Sequence, residues 1–153
     1  MSKIDQKLAE LGLTLPVAAA PVAAYVPTVE AGGLLHISGQ LPFKDGQVML
    51  GRMGEDRDLA FGQEAARACA LMILAQTKAA LGSLDRVARI VKLGVFINSA
   101  GHFTDQPKVA NGASELMEQL FGETGRHARS AVGVPVLPLG AVVEIDAIIA
   151  IRP

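Results

Sequence analysis

The sequence predicts an α+β fold: a single mixed β-sheet with two long helices packed on one face. Three observations carry this. Asp58 to Leu81 is a proline-free stretch rich in Ala and Leu, and a second helical pattern spans Gln106 to Phe121. Short extended runs flank the helices, divided by Gly-containing turns typical of antiparallel hairpins. The run Ile90 to Ile97 alternates in period two, with Val91, Leu93, Val95 and Ile97 on one side and Lys92 and Gly94 on the other. Hairpins combined with long helices describe a layered α+β arrangement.

The elements follow in order. Ile4, Leu8 and Leu11 recur at helical spacing, with Asp5 and Glu10 facing away and Gly12 closing a short helix. An Ala/Pro connector leads to two extended runs, Tyr25 to Val29 and Leu34 to Ser38, divided by Gly32-Gly33. Lys44-Asp45-Gly46 marks a further turn, and Gln47 to Leu50 returns from it. In the first long helix Leu59, Gly62, Ala66, Cys69, Ile73 and Ala80 form one stripe, and Gly82 stops it. Asp105, Pro107 and Gly122 bound the second. The chain ends in two strands, Ala128 to Val136 and Val142 to Ile151, expected to form a hairpin across the LPLGA loop. Ala131, Gly133 and Pro135 are expected on the sheet face away from the helices, beside Val142, Glu144, Asp146 and Ile148. A face so mixed in character points to an oligomer.

Composition narrows the function. The 153 residues are 50% hydrophobic and 19% charged with a net charge of -1, which excludes a disordered chain and argues against a nucleic-acid binder. One domain, residues 1–153, is the expectation at this length. The only cysteine, Cys69, excludes an internal disulfide and cysteine-rich zinc motifs. The apolar stretch Leu13 to Val26 is too short, and too broken by Pro16 and Pro21, to span a bilayer; the charges before it are balanced, unlike those of a signal peptide. A cytoplasmic protein is expected. His36, His102 and His127 have no metal-ligand spacing, so no metal is expected, and without a Gly-rich phosphate loop no nucleotide cofactor either.

Covalent chemistry has no strong candidate. Ser38 stands outside any nucleophile elbow, and Cys69 lies on the apolar stripe of a helix. The informative residues are charged groups on strands. Arg129 alternates in phase with Ala131 and Gly133, opposite Val132, Val134 and Val136. Small neighbours leave space before a guanidinium, as a carboxylate ligand requires; the alternative is a strand-end arginine, solvated or paired locally. Glu144 interrupts an apolar strand. Buried there its pKa rises, which suits proton transfer, while a structural ion pair is the alternative. If the last two strands form a hairpin, Arg129 and Glu144 lie about 17 Å apart, too far to hold one small molecule within one chain.

Three motifs resemble the Rid family (RidA/YjgF, L-PSP proteins, the reactive intermediate deaminases). Ala128-Arg129-Ser130-Ala131-Val132 followed by Leu137-Pro138-Leu139-Gly140-Ala141-Val142-Val143-Glu144-Ile145 resembles its main signature. Ile37-Ser38-Gly39-Gln40-Leu41-Pro42 and Val91-Lys92-Leu93-Gly94-Val95-Phe96-Ile97 resemble two more. The resemblance covers Tyr25 to the C-terminus and implies a chorismate-mutase-like fold assembled as a homotrimeric barrel, with ligand clefts between subunits. It implies cofactor-free hydrolysis of enamines and imines such as 2-aminoacrylate to 2-keto acids and ammonia. Arg129 matches the arginine that clamps the substrate carboxylate and Glu144 the glutamate that handles water and its proton. Tyr25, Ser38, Gly39 and Ala131 match residues around the substrate, and the family's helix asparagine matches Asn111 or, one turn on, Ser114. The chain departs from the pattern at Ala131, where cysteine is frequent, and at His127, where proline is common. Residues 1–15 form a helical extension, so the chain resembles a divergent subgroup. Two rival functions remain, a non-catalytic module that binds small carboxylates and, ranked last, RNA cleavage.

Overall fold

A computed structural model of the chain describes residues 2–21 and 23–153. In chain order the elements are α1 (Lys3–Glu10), β1 (Thr28–Ala31), β2 (Leu34–Gln40), β3 (Phe43–Lys44), β4 (Gln47–Val48), α2 (Leu59–Leu81), β5 (Val87–Asn98), α3 (Gln106–Phe121), β6 (Ala128–Val134) and β7 (Val143–Ile151). A five-stranded mixed sheet runs β1-β2-β7-β5-β6, with α2 and α3 packed on one face. β3 and β4 form a separate two-stranded ribbon, an addition to the single sheet expected. Only β5 and β6 pair in parallel; the other neighbours in the main sheet are antiparallel.

Local chemistry explains the helix ends. The Ser2 hydroxyl accepts from Asp5 N at 3.0 Å, and the Asp5 carboxylate accepts from Ser2 N at 3.1 Å. That is a reciprocal capping box. Gly12, at φ 69°, donates to Ala9 O while Leu13 donates to Leu8 O, closing α1 in a Schellman pattern. Ile4 and Leu8 are buried as their spacing predicts, but Leu11 is 42% exposed because it leaves the helix as its C-cap. Asp5 also departs from expectation. It does not face solvent but meets Lys78 of α2 at 3.0 Å, which pins the N-terminal helix to the body. Burial pushes its carboxyl pKa up, and the Lys78 ammonium and Ser2 donors together hold it below the usual value.

In α2, Asp58 accepts from Phe61 N at 2.9 Å, and Gly82 turns left-handed at φ 85° to end the helix. Gly62, Ala66, Cys69 and Ile73 are buried as expected, whereas Ala80 is exposed in the last turn. Small residues let α2 and α3 approach closely. A methyl group on Gly112 of α3 would drive into the backbone carbonyl oxygen of Gln63. Burial pushes the Cys69 thiol pKa well above its ordinary value, and the thiol donates to Val143 O at 3.7 Å. It is an inert part of the core.

The expected hairpin between the last two strands does not form, because β5 lies between β6 and β7. A parallel β5–β6 pair needs a helical crossover, which α3 supplies, and β7 then returns on the other side of β5. The LPLGA segment, with Leu139 at φ 59°, caps the end of β5. Asn98 N donates to Val142 O at 2.9 Å, Asn98 Nδ2 to Ala141 O at 3.2 Å, and Ser99 N to Val134 O at 3.0 Å.

This topology changes the face assignments. Register places Arg129 beside Leu93, Ala131 beside Val95 and Gly133 beside Ile97, so these three β6 residues share the helix-covered face. The opposite face carries Ser130 and Val132 of β6, not Ala131 and Gly133, beside Phe96, Glu144, Asp146 and Ile148. A register shift between Ile90 and Lys92 also changes the phase of β5. Ile90 is buried, and Val91 is only half-buried. No helix among the described residues is long and apolar enough to cross a membrane.

The α2–α3 contact yields a test in which helix propensity and packing have opposite signs. Alanine favours a helix interior over glycine by about 1 kcal/mol. Gly112→Ala nevertheless destabilises the protein by about 1–3 kcal/mol, because the clash is with backbone. Denaturant melts of the two proteins check the sign.

Candidate active site

The site has two charged halves, and α3 builds the first. The Arg129 Nη1 donates to Asn111 Oδ1 at 2.9 Å and to Ser114 Oγ at 3.1 Å, and Nη2 donates to Pro107 O at 3.3 Å. Asn111 and Ser114 are about one helical turn apart and point to the same place. The sequence left a choice between them, and the structure brings both to Arg129. Three of the five N–H donors of the guanidinium are thereby used. Among the described residues, no carboxylate lies within ion-pair distance of it. Its orientation is fixed and its charge is unmatched. Ala131, half-buried, follows it on the same face of β6 and packs against the core.

Glu144 forms the second half, on the opposite face of β7. Its carboxylate is half-buried, and burial and then the nearby Asp146 raise its pKa. Gly39 makes its position possible. A Cβ at Gly39 would lie 2.9 Å from Glu144 Cδ and 3.1 Å from Oε1. Tyr25, Gly39 and Glu144 line one cavity of about 310 Å³. Its remaining wall is mainly apolar and includes Ala19, Ala20, Leu41, Phe43 and Leu139.

Ser38 is not in the lining of that cavity. Its hydroxyl donates to Val26 O at 2.8 Å, so it fastens the segment carrying Tyr25 to β2. A chain of amides continues the fastening: Gln40 Nε2 donates to Ser38 O at 2.9 Å, and Gln76 Nε2 of α2 reaches both Gln40 Oε1 at 3.2 Å and Ala19 O at 2.7 Å. The structure therefore groups Tyr25, Gly39 and Glu144 in one place, and Arg129, Asn111 and Ala131 in another. Glu144 aligns laterally with Phe96 and Val132, and Arg129 with Leu93 and Ala147. The two groups are thus offset by about 10 Å along the strands and two strand spacings across, and lie on opposite faces. The offset along the strands is shorter than the ~17 Å expected of a hairpin, and it is the opposite faces that keep the two groups apart.

Ala19, Ala20, Pro21 and Ala23 of the connector, and His127, are not among the site residues the sequence predicts. His127 Nε2 lies 2.8 Å from Ser114 Oγ, and Nδ1 lies 2.7 Å from Gly125 O. The period-two spacing of His127 and Arg129 was the available signal. The connector carried none, because only the fold lays it beside β2. Among the described residues, no cluster of three His, Cys, Asp or Glu side chains is placed to hold a metal ion.

A mixed sheet carrying two helices on one face is shared with solved structures of small α+β proteins. The model of the family described as "YjgF/chorismate_mutase-like, putative endoribonuclease" matches residues 5–149. The chain belongs to this family, the YjgF or Rid proteins. Protein TCP17 of Trypanosoma cruzi is 54% identical over 149 residues, which are 96% of this chain and 93% of that one. A 2-iminobutanoate/2-iminopropanoate deaminase of Dermatophagoides farinae is 27% identical, covering 92% of this chain and 95% of its own. The crystal structure of Atu1372 from Agrobacterium tumefaciens, described as of unknown function, superposes with a TM-score of 0.92 at 50% identity. It covers 98% of this chain and 93% of its own, so the shared architecture extends into the N-terminal helix.

The close approach at Gly39 predicts how Glu144 responds to a methyl group. In Gly39→Ala the carboxylate is pushed out of its half-buried position, and its pKa falls toward that of an ordinary glutamate. Carboxyl NMR titration of Glu144 in both proteins reads the shift; an unchanged titration refutes the packing argument.

Proposed function

We propose that this protein is a cofactor-free deaminase that hydrolyses enamines and imines of small 2-amino acids to 2-keto acids and ammonia. We place the reaction in clefts between the subunits of a cytoplasmic homotrimer. The observation that carries this reading is the Arg129 guanidinium, oriented by neutral acceptors and left without a counter-charge. Its remaining donors suit a bidentate carboxylate. The relative named as an iminobutanoate and iminopropanoate deaminase supports the substrate class. Because Arg129 and Glu144 lie on opposite faces of one sheet, a substrate that meets both is held by two protomers.

In the proposed mechanism Arg129 fixes the carboxylate of the substrate, and Tyr25 and the apolar wall enclose the remainder. An enamine such as 2-aminoacrylate first takes a proton on carbon and becomes the imine CH3–C(=NH2+)–COO−. Water then adds to the imine carbon while Glu144 accepts its proton, giving a carbinolamine. Glu144 returns that proton to nitrogen, the C–N bond breaks, and ammonia leaves as ammonium once the remaining hydroxyl gives up its proton to form the keto group. The sum is one imine and one water giving one 2-keto acid and one ammonium ion. The net charge of -1 and the carboxylates of Glu144 and Asp146 on the uncovered sheet face make RNA a poor substrate.

Purified protein is expected to accelerate ammonia release from freshly generated 2-aminoacrylate; a rate equal to buffer alone refutes the enzymatic reading. Tight binding of a 2-keto acid without turnover would instead identify a carboxylate-binding module. A solution mass other than that of three chains refutes the trimer. Arg129→Ala lowers kcat/KM on the order of 10²-fold, the loss of a charge-assisted pair. Glu144→Gln lowers kcat by about 10²-fold or more with KM little changed.

Glu144 also sets a pH dependence. The base is present above its raised pKa and lost as pH falls through it, so activity declines on the acid side. Pre-steady-state ammonia release across pH reads this limb, which is absent from Glu144→Gln.

A further inference from the structure

Every proton in the group around Arg129 can be assigned. A guanidinium only donates, so Ser114 Oγ accepts from Arg129 Nη1 at 3.1 Å. A carbonyl only accepts, so His127 Nδ1 carries hydrogen and donates to Gly125 O at 2.7 Å. In the neutral ring Nε2 is then bare and accepts from the Ser114 hydroxyl at 2.8 Å. The chain of bonds runs in one direction, from Arg129 through Ser114 and His127 to the Gly125 carbonyl. Each group has a single consistent role.

We infer that His127, acting through Ser114, is a positioning residue that fixes the Arg129 guanidinium, and that it does so only while its ring is neutral. The role in substrate binding rests on the proposed deaminase reading; the coupling to Arg129 does not. A proton on Nε2 turns that nitrogen into a donor facing Ser114 Oγ. The hydroxyl hydrogen loses its acceptor, and two cations then share one oxygen and repel each other across it. The guanidinium keeps Asn111 and the Pro107 carbonyl but loses the full strength of the third bond that sets its plane.

Burial is the main influence that keeps the His127 ring neutral, and charges of both signs stand around it. Arg129 and Arg126 flank it on its own segment, and Arg89 of β5 donates to the carbonyls of Glu123 and Arg126 at 3.0 and 2.8 Å. Lys92 of β5 pairs beside Ala128. Glu118 of α3 opposes them, lining a hollow of about 200 Å³ with Ser114, Arg126, His127 and Arg129, and the Glu123 carboxylate lies 3.9 Å from Arg126. Burial lowers the imidazole pKa and Arg129 lowers it further, against the Gly125 carbonyl and Glu118. The relay is therefore intact at neutral pH and fails only in acid.

NMR of the intact protein tests the coupling without any ligand. Long-range 15N–1H spectra are expected to show the Nδ1–H tautomer of His127, titrating below the ordinary imidazole value. The Arg129 Nη signals should be resolved by slow rotation while His127 is neutral, and should merge as it protonates. In Ser114→Ala they should be merged at every pH. An Nε2–H tautomer, or Arg129 signals indifferent to the titration, overturns the inference. Kinetics supply the second arm, with 2-aminoacrylate as substrate and pyruvate as bound product. His127→Phe should raise KM and the pyruvate Kd by about 10-fold with kcat within about twofold. His127→Gln, whose amide oxygen accepts the same bond without titrating, should restore binding and remove its acid-side loss. Failure of that rescue counts against the relay. If the wild type neither binds pyruvate nor turns over the enamine, the deaminase reading fails while the Arg129 spectra still decide the coupling.

Discussion

An arginine held in place by neutral partners is the constraint around which the rest of this molecule is arranged. Arg129 lies on β6, an edge strand, and reaches under α3 to Asn111, Ser114 and the Pro107 carbonyl. Neutral acceptors orient a guanidinium without cancelling its charge, which a carboxylate neighbour would do. Several features serve this placement. The parallel β5–β6 register puts Arg129 beside Leu93 on the helix-covered face. Gly112, between Asn111 and Ser114, lets α3 sit close on α2 and so fixes the height of both side chains. Gly133 leaves room for Ser99 Oγ and the Gln106 side chain near the same edge.

What the sequence made legible, and what it did not, follows from the range of the interactions. Helix limits were readable because Asp58, Gly82 and Gly122 act on neighbouring residues. The two-residue turns at Gly32-Gly33 and Asp45-Gly46, with φ values of 60°, 78°, 52° and 77°, were readable for the same reason. The fate of β6 was not. Pro138 and Gly140 mark a turn, but turn chemistry does not reveal that β5 has come between the strands it joins. Alternation placed Arg129 in phase with Ala131 and Gly133, yet which face that phase met depended on this distant pairing. For the site, Arg129, Glu144 and Gly39 stood out as residues at odds with their local pattern or as parts of a family motif. Asn111 and Ser114 could not be told apart because both satisfy the helical repeat. The connector became visible only through contacts between segments far apart in the chain, whereas His127 offered its period-two spacing from Arg129 as a signal.

The placement of the two charges bears on how the molecule associates. Glu144 lacks a cationic partner among the described residues and keeps a raised pKa, while Arg129 lacks an anionic one. Nearby, the uncovered sheet face exposes Val132, 46% accessible, beside Phe96. Two unmatched charges on opposite faces of one sheet cannot meet in a two-fold contact between identical patches without each also meeting its own kind of surface. They can meet when one face of a protomer receives a different face of the next, and such a head-to-tail contact closes into a ring if its rotation allows. The proposed trimer is a ring of that kind. In it the anionic substrate would stand between the guanidinium of one chain and the carboxylate of another, so that assembly itself completes the site. A monomer would retain the clamp and the base but have no place where both act on the same carbon atom. Oligomer formation would then be a condition of the chemistry as well as a source of stability.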